Sequence, residues 1–275
     1  KNPEKRNPTD FALWKFSPLG QKRQMEWPSP WGIGFPGWHI ECSAISLTCL
    51  GEHLDIHCGG IDHINVHHTN EIAQSEAATS KKFFDYWLHN AFLVIPGGKK
   101  MTKSDGDFLT LESTVINRGF DPLAYRLALL NVHYRKPAEY TEEVIQAADN
   151  ALRHLRHQAA DLGAESGTVD AVWQEKFKAA LNDDLNTPQA LAVVSEMLKS
   201  DLPNSDKLAT IIDFDKVLGL DLVFEIPEYI IALARKRQLA KDDKDYATSD
   251  KLRQEIEDQG YLMKDNVGGF VLMKK

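Results

Sequence analysis

The chain has 275 residues, 43% hydrophobic and 26% charged, the make-up of a globular protein with one large domain or two medium ones. It contains no run of about 18 apolar residues, which excludes a membrane-spanning helix, and no charged-then-apolar leader opens it. Three cysteines are too few for a disulfide framework and point to a reducing, cytoplasmic setting, while a net charge of −8 excludes a wholly basic surface but not a local basic patch.

The first hundred residues mix short apolar runs with glycine, proline and tryptophan. The composition of "EWPSPWGIGFPGW" (26–38) predicts a loop. A helix is predicted over 39–51, "HIECSAISLTCLG", closed by Gly51, and then a buried strand over 53–62, "HLDIHCGGID", running into a glycine turn. A helix from about residue 66 follows, then a second strand in "AFLVI" (91–95) and a Pro-Gly-Gly turn. Strand, helix, strand in that order predicts an α/β unit with a parallel sheet. After about residue 119 the apolar spacing turns helical in segment after segment. "DDLNTP" (183–188) reads as a helix start, with Asn186 or Thr187 capping and Pro188 in the first turn. The helical run through "PEYIIALARKRQLAKDDKDYATSDKLRQ" breaks near "DKDYATSD", and the tail "YLMKDNVGGFVLMKK" reads as a hairpin with a Gly-Gly turn. The fold class is therefore α/β followed by all-α.

The stretch "VHHTNEIAQSE" (66–76) places His67 and Glu71 at i and i+4, on one face of a helix. Imidazole and carboxylate both bind zinc, but a zinc site needs about four ligands, and such pairs are common by chance. The ordinary reading of Cys42, Cys49 and Cys58, each alone, is a small buried hydrophobe.

Read together, "PGWHIECSA", "GGIDHINVHHTNEIAQSE" and "KKMTKS" resemble the cysteinyl-tRNA synthetases, a family of class I aminoacyl-tRNA synthetases. "DFALWK", "YWLHN", "HYR", "DDLNTP" and "YATSDKLR" carry the likeness along nearly the whole chain. The resemblance implies the C-terminal half of a Rossmann-like catalytic domain over residues 1–118. A stem-contact region with a helical bundle is implied over 119–222, and an anticodon-binding helical segment with a hairpin over 223–275. It implies Cys42, His67 and Glu71 as ligands of one zinc ion that selects the substrate's thiol, with Trp38 and His39 lining the pocket. A thiolate is a strong zinc ligand and an alcohol a poor one, so such a metal separates cysteine from its near-isostere serine where an ordinary pocket separates them weakly.

"KKMTKS" resembles the class I lysine loop K-M-S-K-S, with Thr102 for the middle serine. Lys103, with Lys100, is implied on the phosphates of ATP, which enters with magnesium, and Gly59, Gly60 and Asp62 on the nucleotide. Arg126, His133, Arg135, Arg235, Lys236 and Arg237 are implied tRNA contacts, and Lys241 joins the local basic cluster. The implied activity is ligation of cysteine to tRNA(Cys) through cysteinyl-adenylate, by a cytoplasmic monomer. The family's first signature, H-x-G-H, and its first zinc cysteine have no counterpart here. The chain is thus expected to be the C-terminal part of the enzyme, incomplete alone, with the fourth zinc ligand outside it. Two alternatives stand beside this: the cysteine ligase of mycothiol synthesis, against which "DKDYATSDKLR" argues, and a non-catalytic zinc- or tRNA-binding remnant.

Overall fold

Two short antiparallel strands, β1 (Trp14–Phe16) and β2 (Gly34–Pro36), bracket the proline- and glycine-rich loop. The computed structural model describes residues 5–20, 22–97, 99, 100, 110–163, 165, 167–266 and 269–274. It divides into two units, residues 1–92 with 134–136, and residues 93–133 with 137–275.

In the first unit α1 (Trp38–Cys49) ends at Gly51, whose φ of +114° suits glycine and closes the helix where the sequence predicts. β3 (Leu54–Gly60) leads through a 3₁₀ turn, Ile61–His63, and a π turn, Ile64–His68, into α2 (Thr69–Thr79), and β4 (Phe84–Asn90) follows. β3 and β4 pair in parallel from Leu54↔Phe84 to Gly60↔Asn90, so the strand–helix–strand unit is present. Two details differ from expectation. The second strand is "FDYWLHN", because its aromatic residues pack on the site: Phe84 is 3% exposed and lies 5.1 Å from Trp87. "AFLVI" supplies only the short β5 (Leu93–Ile95), in the second unit. Nor is β3 buried: Ile56 and Cys58 are exposed, because among the described residues the strand has one ladder neighbour. Cys49 is exposed as well, and Cys42 is partly buried.

The second unit opens with a small sheet in the order β6 (Lys99–Lys100), β5, β7 (Ala138–Glu139). Its helices are α3 (Leu111–Thr114), α4 (Pro122–Leu130), α5 (Glu142–Ala160), α6 (Ala171–Asn182), α7 (Thr187–Lys199) and α8 (Asn204–Leu218). Their starts are written in the sequence, since the side chains of Asp121, Thr141, Asp170 and Asn186 each accept a backbone N–H of the first turn. The apolar stripes of α4 to α8 meet around Leu127, Leu152, Val194, Met197 and Ile211, with Phe177 and Phe214 stacked at 4.2 Å. Arg156, 5% exposed, donates to the carbonyls of Leu220 and Asp221 and pairs with Asp121, tying the chain beyond α8 to the bundle. α9 (Glu228–Asp242), α10 (Tyr246–Asp258) and the hairpin β8 (Tyr261–Asn266) and β9 (Gly269–Lys274) bury a smaller core of Ile230, Ala234, Ile256, Met263 and Leu272. No helix is long and apolar enough to cross a membrane among the described residues.

Candidate functional site

α1 and α2 meet through small hydroxyls rather than bulky side chains. Ser75 Oγ donates to Ser43 Oγ at 2.7 Å, both buried, and Gln74 Nε2 donates to Ser43 Oγ at 2.6 Å and to the carbonyl of His39. This close seam holds Cys42, one turn into α1, against the start of α2. A sulfur of Cys42, a ring nitrogen of His67 and a carboxylate oxygen of Glu71 all lie within 4.8 Å of one another.

Glu71 is fully buried. Its Oε1 is 2.7 Å from His67 Nε2 and its Oε2 is 3.1 Å from His57 Nε2, yet neither oxygen receives a well-aligned hydrogen bond. A buried carboxylate left without donors is costly, by about several kcal/mol, and a divalent cation is a natural way to satisfy it. Sulfur, nitrogen and oxygen donors at this spacing suit zinc, so the residues present fit the metal that the resemblance implies. Behind the ligand set, His39 Nδ1 is 2.9 Å from His67 Nδ1, and the Trp38 ring lies 4.2 Å from that of His67. Trp38 itself is 55% exposed.

The electrostatics favour neutral imidazoles. Burial lowers the pKa of His67 against the pull of Glu71, and burial likewise lowers His39 and His89. His68, 3% exposed, is pushed down to about 4 by burial and by the neighbouring His57. Burial and then the charges of Glu71 and Glu41 raise the Cys42 thiol. Neutral histidines are the ligating form, and a bound divalent cation would reverse the pressure on the thiol.

Gly59 and Gly60 end β3, and Asp62 follows in the 3₁₀ turn, so these three stand together beside the trio's helix. Lys103 and the side chain of Lys100 lie outside the described residues. Of the implied tRNA contacts, Arg235 and Lys236 are exposed on α9, Arg235 3.4 Å from Glu228. Arg135 is exposed and lies over the Tyr134 ring, and His133 is 3.8 Å from Asp184. Two arginines depart from that expectation. Arg237 is 3% exposed and turned inward onto Asp265, so its charge is already matched. Arg126 donates to the carbonyls of Leu218 and Val217, where it caps α8.

Four residues join the site without a local mark in the sequence: His57 lies at Glu71 and His63 at His67, while Trp87 and His89 lie against His68. A signal was present. His57 and Gly59 share one face of β3, and parallel pairing sets them opposite Trp87 and His89.

Residues 1–150 match the family described as tRNA synthetases class I (C) catalytic domain, and residues 176–200 match the DALR domain. Over 271 residues the chain is 48% identical to cysteine–tRNA ligase 1 of Burkholderia lata, covering 96% of this chain and 57% of that protein. It is 41% identical over 304 residues to cysteine–tRNA ligase of Treponema denticola, covering 96% and 61%. The chain thus spans about three fifths of the length of these curated relatives. Among solved structures, the leucyl enzyme in a LeuRS–tRNA–LeuAMS ternary complex from Agrobacterium radiobacter superposes with a TM-score of 0.53 at 14% identity, over 71% of this chain and 32% of that one, and so shares the fold. Family match, relatives and fold agree with the motifs on α1, β3 and α2: the chain belongs to the class I (C) tRNA synthetases, the family of the cysteinyl-tRNA synthetases.

Proposed function

We propose that the chain carries the thiol-selecting part of a cysteine–tRNA ligase. In that reaction the carboxylate of cysteine attacks the α-phosphate of ATP and pyrophosphate leaves. The acyl group of the resulting cysteinyl-adenylate then passes to the terminal ribose of tRNA(Cys), releasing AMP. The observation that carries this reading is the convergence of Cys42 from α1, His67 from the π turn and Glu71 from α2 on one point, with both buried Glu71 oxygens lacking aligned donors. Zinc held there would accept a thiolate and refuse a hydroxyl, which supplies selectivity for cysteine over serine.

The residues of this chain do the rest by position. Trp38 and His39 shape the pocket beside the trio, and His39 backs the ring of His67. Gly59, Gly60 and Asp62 stand at the end of β3 where a nucleotide would lie. Lys103, with Lys100, would meet the negative charge that grows as pyrophosphate leaves, alongside the magnesium that enters with ATP. Arg235, Lys236 and Arg135 supply exposed positive charge for the tRNA backbone. The chain spans about three fifths of its curated relatives, and on this reading the fourth zinc ligand and the rest of the ATP site come from the part of the ligase it does not cover.

Cobalt substitution tests the reading without requiring turnover. Co(II) added to the metal-free chain should give a thiolate-to-cobalt absorption band that grows on adding cysteine and is unmoved by serine. The band should be lost in Cys42→Ala. A chain that shows no thiolate band, or that responds equally to serine, overturns the assignment.

A further inference from the structure

Glu71 has two oxygens, and the ligand trio uses the side that faces His67. The other side is also furnished with metal donors. His57 from β3, His68 from the π turn and Glu71 offer ligand atoms that all lie within 4.8 Å of one another. Glu71 is fully buried, His68 is 3% exposed and His57 is partly buried, so this is not a surface cluster of the kind common without an ion. Glu71 Oε2, 3.1 Å from His57 Nε2, has no aligned donor.

The rings are held as ligands are usually held. Phe84 stacks on His57 at 4.2 Å, and Trp87 lies 5.0 Å from His57 and 4.9 Å from His68. The same device supports both trios: His67 sets its Nδ1 on His39 at 2.9 Å, and His68 sets its Nδ1 on His89 Nε2 at 2.8 Å. Bonding of one ring nitrogen to an outer partner is what fixes the tautomer and aim of a ligating histidine.

From this geometry we propose a second divalent-cation position, held by His57, His68 and the far oxygen of Glu71. It rests on the reading of Cys42, His67 and Glu71 only in sharing the Glu71 carboxylate, which would bridge the two positions. Two imidazoles and one carboxylate select zinc, cobalt or nickel over magnesium or calcium. Two cations on one carboxylate repel each other, so the second position fills at higher metal concentration than the first.

Stepwise Co(II) titration of the metal-free chain, with bound metal counted after dialysis against each cobalt concentration, tests this. The expected result is two phases. The first brings in one cobalt with a thiolate charge-transfer band. The second adds one more cobalt, with growth of the visible d–d bands only. In His57→Gln the second phase should disappear and the thiolate band remain, and that retained band shows the variant to be folded around the first site. In Cys42→Ala the thiolate band should vanish while the imidazole-bound cobalt persists. Binding that stops at one cobalt in the unmodified chain overturns the proposal, as does a second cobalt that survives in His57→Gln. Absence of the thiolate band in the unmodified chain is a different failure, that of the first trio.

Discussion

The imidazole of His68 stands where a side chain on Gly59 would have to go. A Cβ at Gly59 would come within 2.6 Å of His68 Cε1 and 2.7 Å of His63 Nδ1. Glycine is thus required at this strand end by the histidine cluster itself, whatever nucleotide lies nearby. Gly59→Ala should lower stability by about 1–3 kcal/mol, the ordinary cost of overfilling a packed site. Urea unfolding measures that loss, and a shift of the His68 Cε1–H resonance should accompany it. An unmoved resonance would mean the strand, rather than the histidine, gives way.

Arg126 offers a contrast between inheritance and geometry. The family resemblance implies a tRNA contact, while the structure places its guanidinium on the last carbonyls of α8. Arg126→Ala should therefore reduce stability in the absence of RNA by about 1–3 kcal/mol, as loss of charged hydrogen bonds to backbone acceptors does. Unchanged thermal unfolding with weakened, salt-sensitive RNA binding would restore the inherited role.

α7 begins where Asn186 accepts the N–H of Gln189 at 3.2 Å, with Pro188 in its first turn. Asn186→Ala should cost about 1 kcal/mol, the usual value of an N-cap. Phe177→Ala, which empties half of the stacked pair with Phe214, should cost about 3–5 kcal/mol. Denaturant midpoints for the two variants should rank in that order.

What was legible in the sequence follows from how local each signal is. The start of α7 could be found because a cap and its first turn are neighbours in the chain. Asn186 and Gly51 are found where the sequence places them. The strand–helix–strand order was legible because its elements are consecutive, but the second strand is Phe84–Asn90 rather than the more apolar "AFLVI". Their exposure was not, because burial of β3 depends on what flanks it, and its one ladder neighbour among the described residues leaves Ile56 at 56% exposure. The site divides the same way. His67 and Glu71 are four residues apart and announce themselves, and Cys42 came from the family's motifs. His57 and His89 reach the cluster only through parallel strand register, a long-range pairing that short-range periodicity does not carry. Arg237, in a basic run, looked like a surface charge, yet its partner Asp265 is 28 residues away on the hairpin.

That pairing has a pH signature. Arg237 first, then Lys241, hold Asp265 down to about 2, below the ordinary carboxylate value of 3.8. A depressed carboxylate contributes stability that is complete above its unfolded value and is lost as pH falls toward the folded one. The α9–α10–hairpin region should therefore loosen between about pH 4 and pH 2. Amide exchange on β8 and β9 would follow this, and Asp265→Asn should flatten the dependence over that window. A profile identical in the variant would place the acid-sensitive group elsewhere.

The π turn of Ile64–His68 has a last implication. On a regular α-helix adjacent residues diverge by about a hundred degrees, so one of two neighbouring histidines normally faces away from the core. Here both are inside, His67 at 4% and His68 at 3% exposure, one toward Cys42 and the other toward His57. A widened turn of this kind is equivalent to a single extra residue in the helical ladder. Removing one residue from it, by deleting Asn65 for instance, would rewind the stretch and swing one imidazole outward. The two-sided use of Glu71 thus hangs on a one-residue allowance in the chain's length.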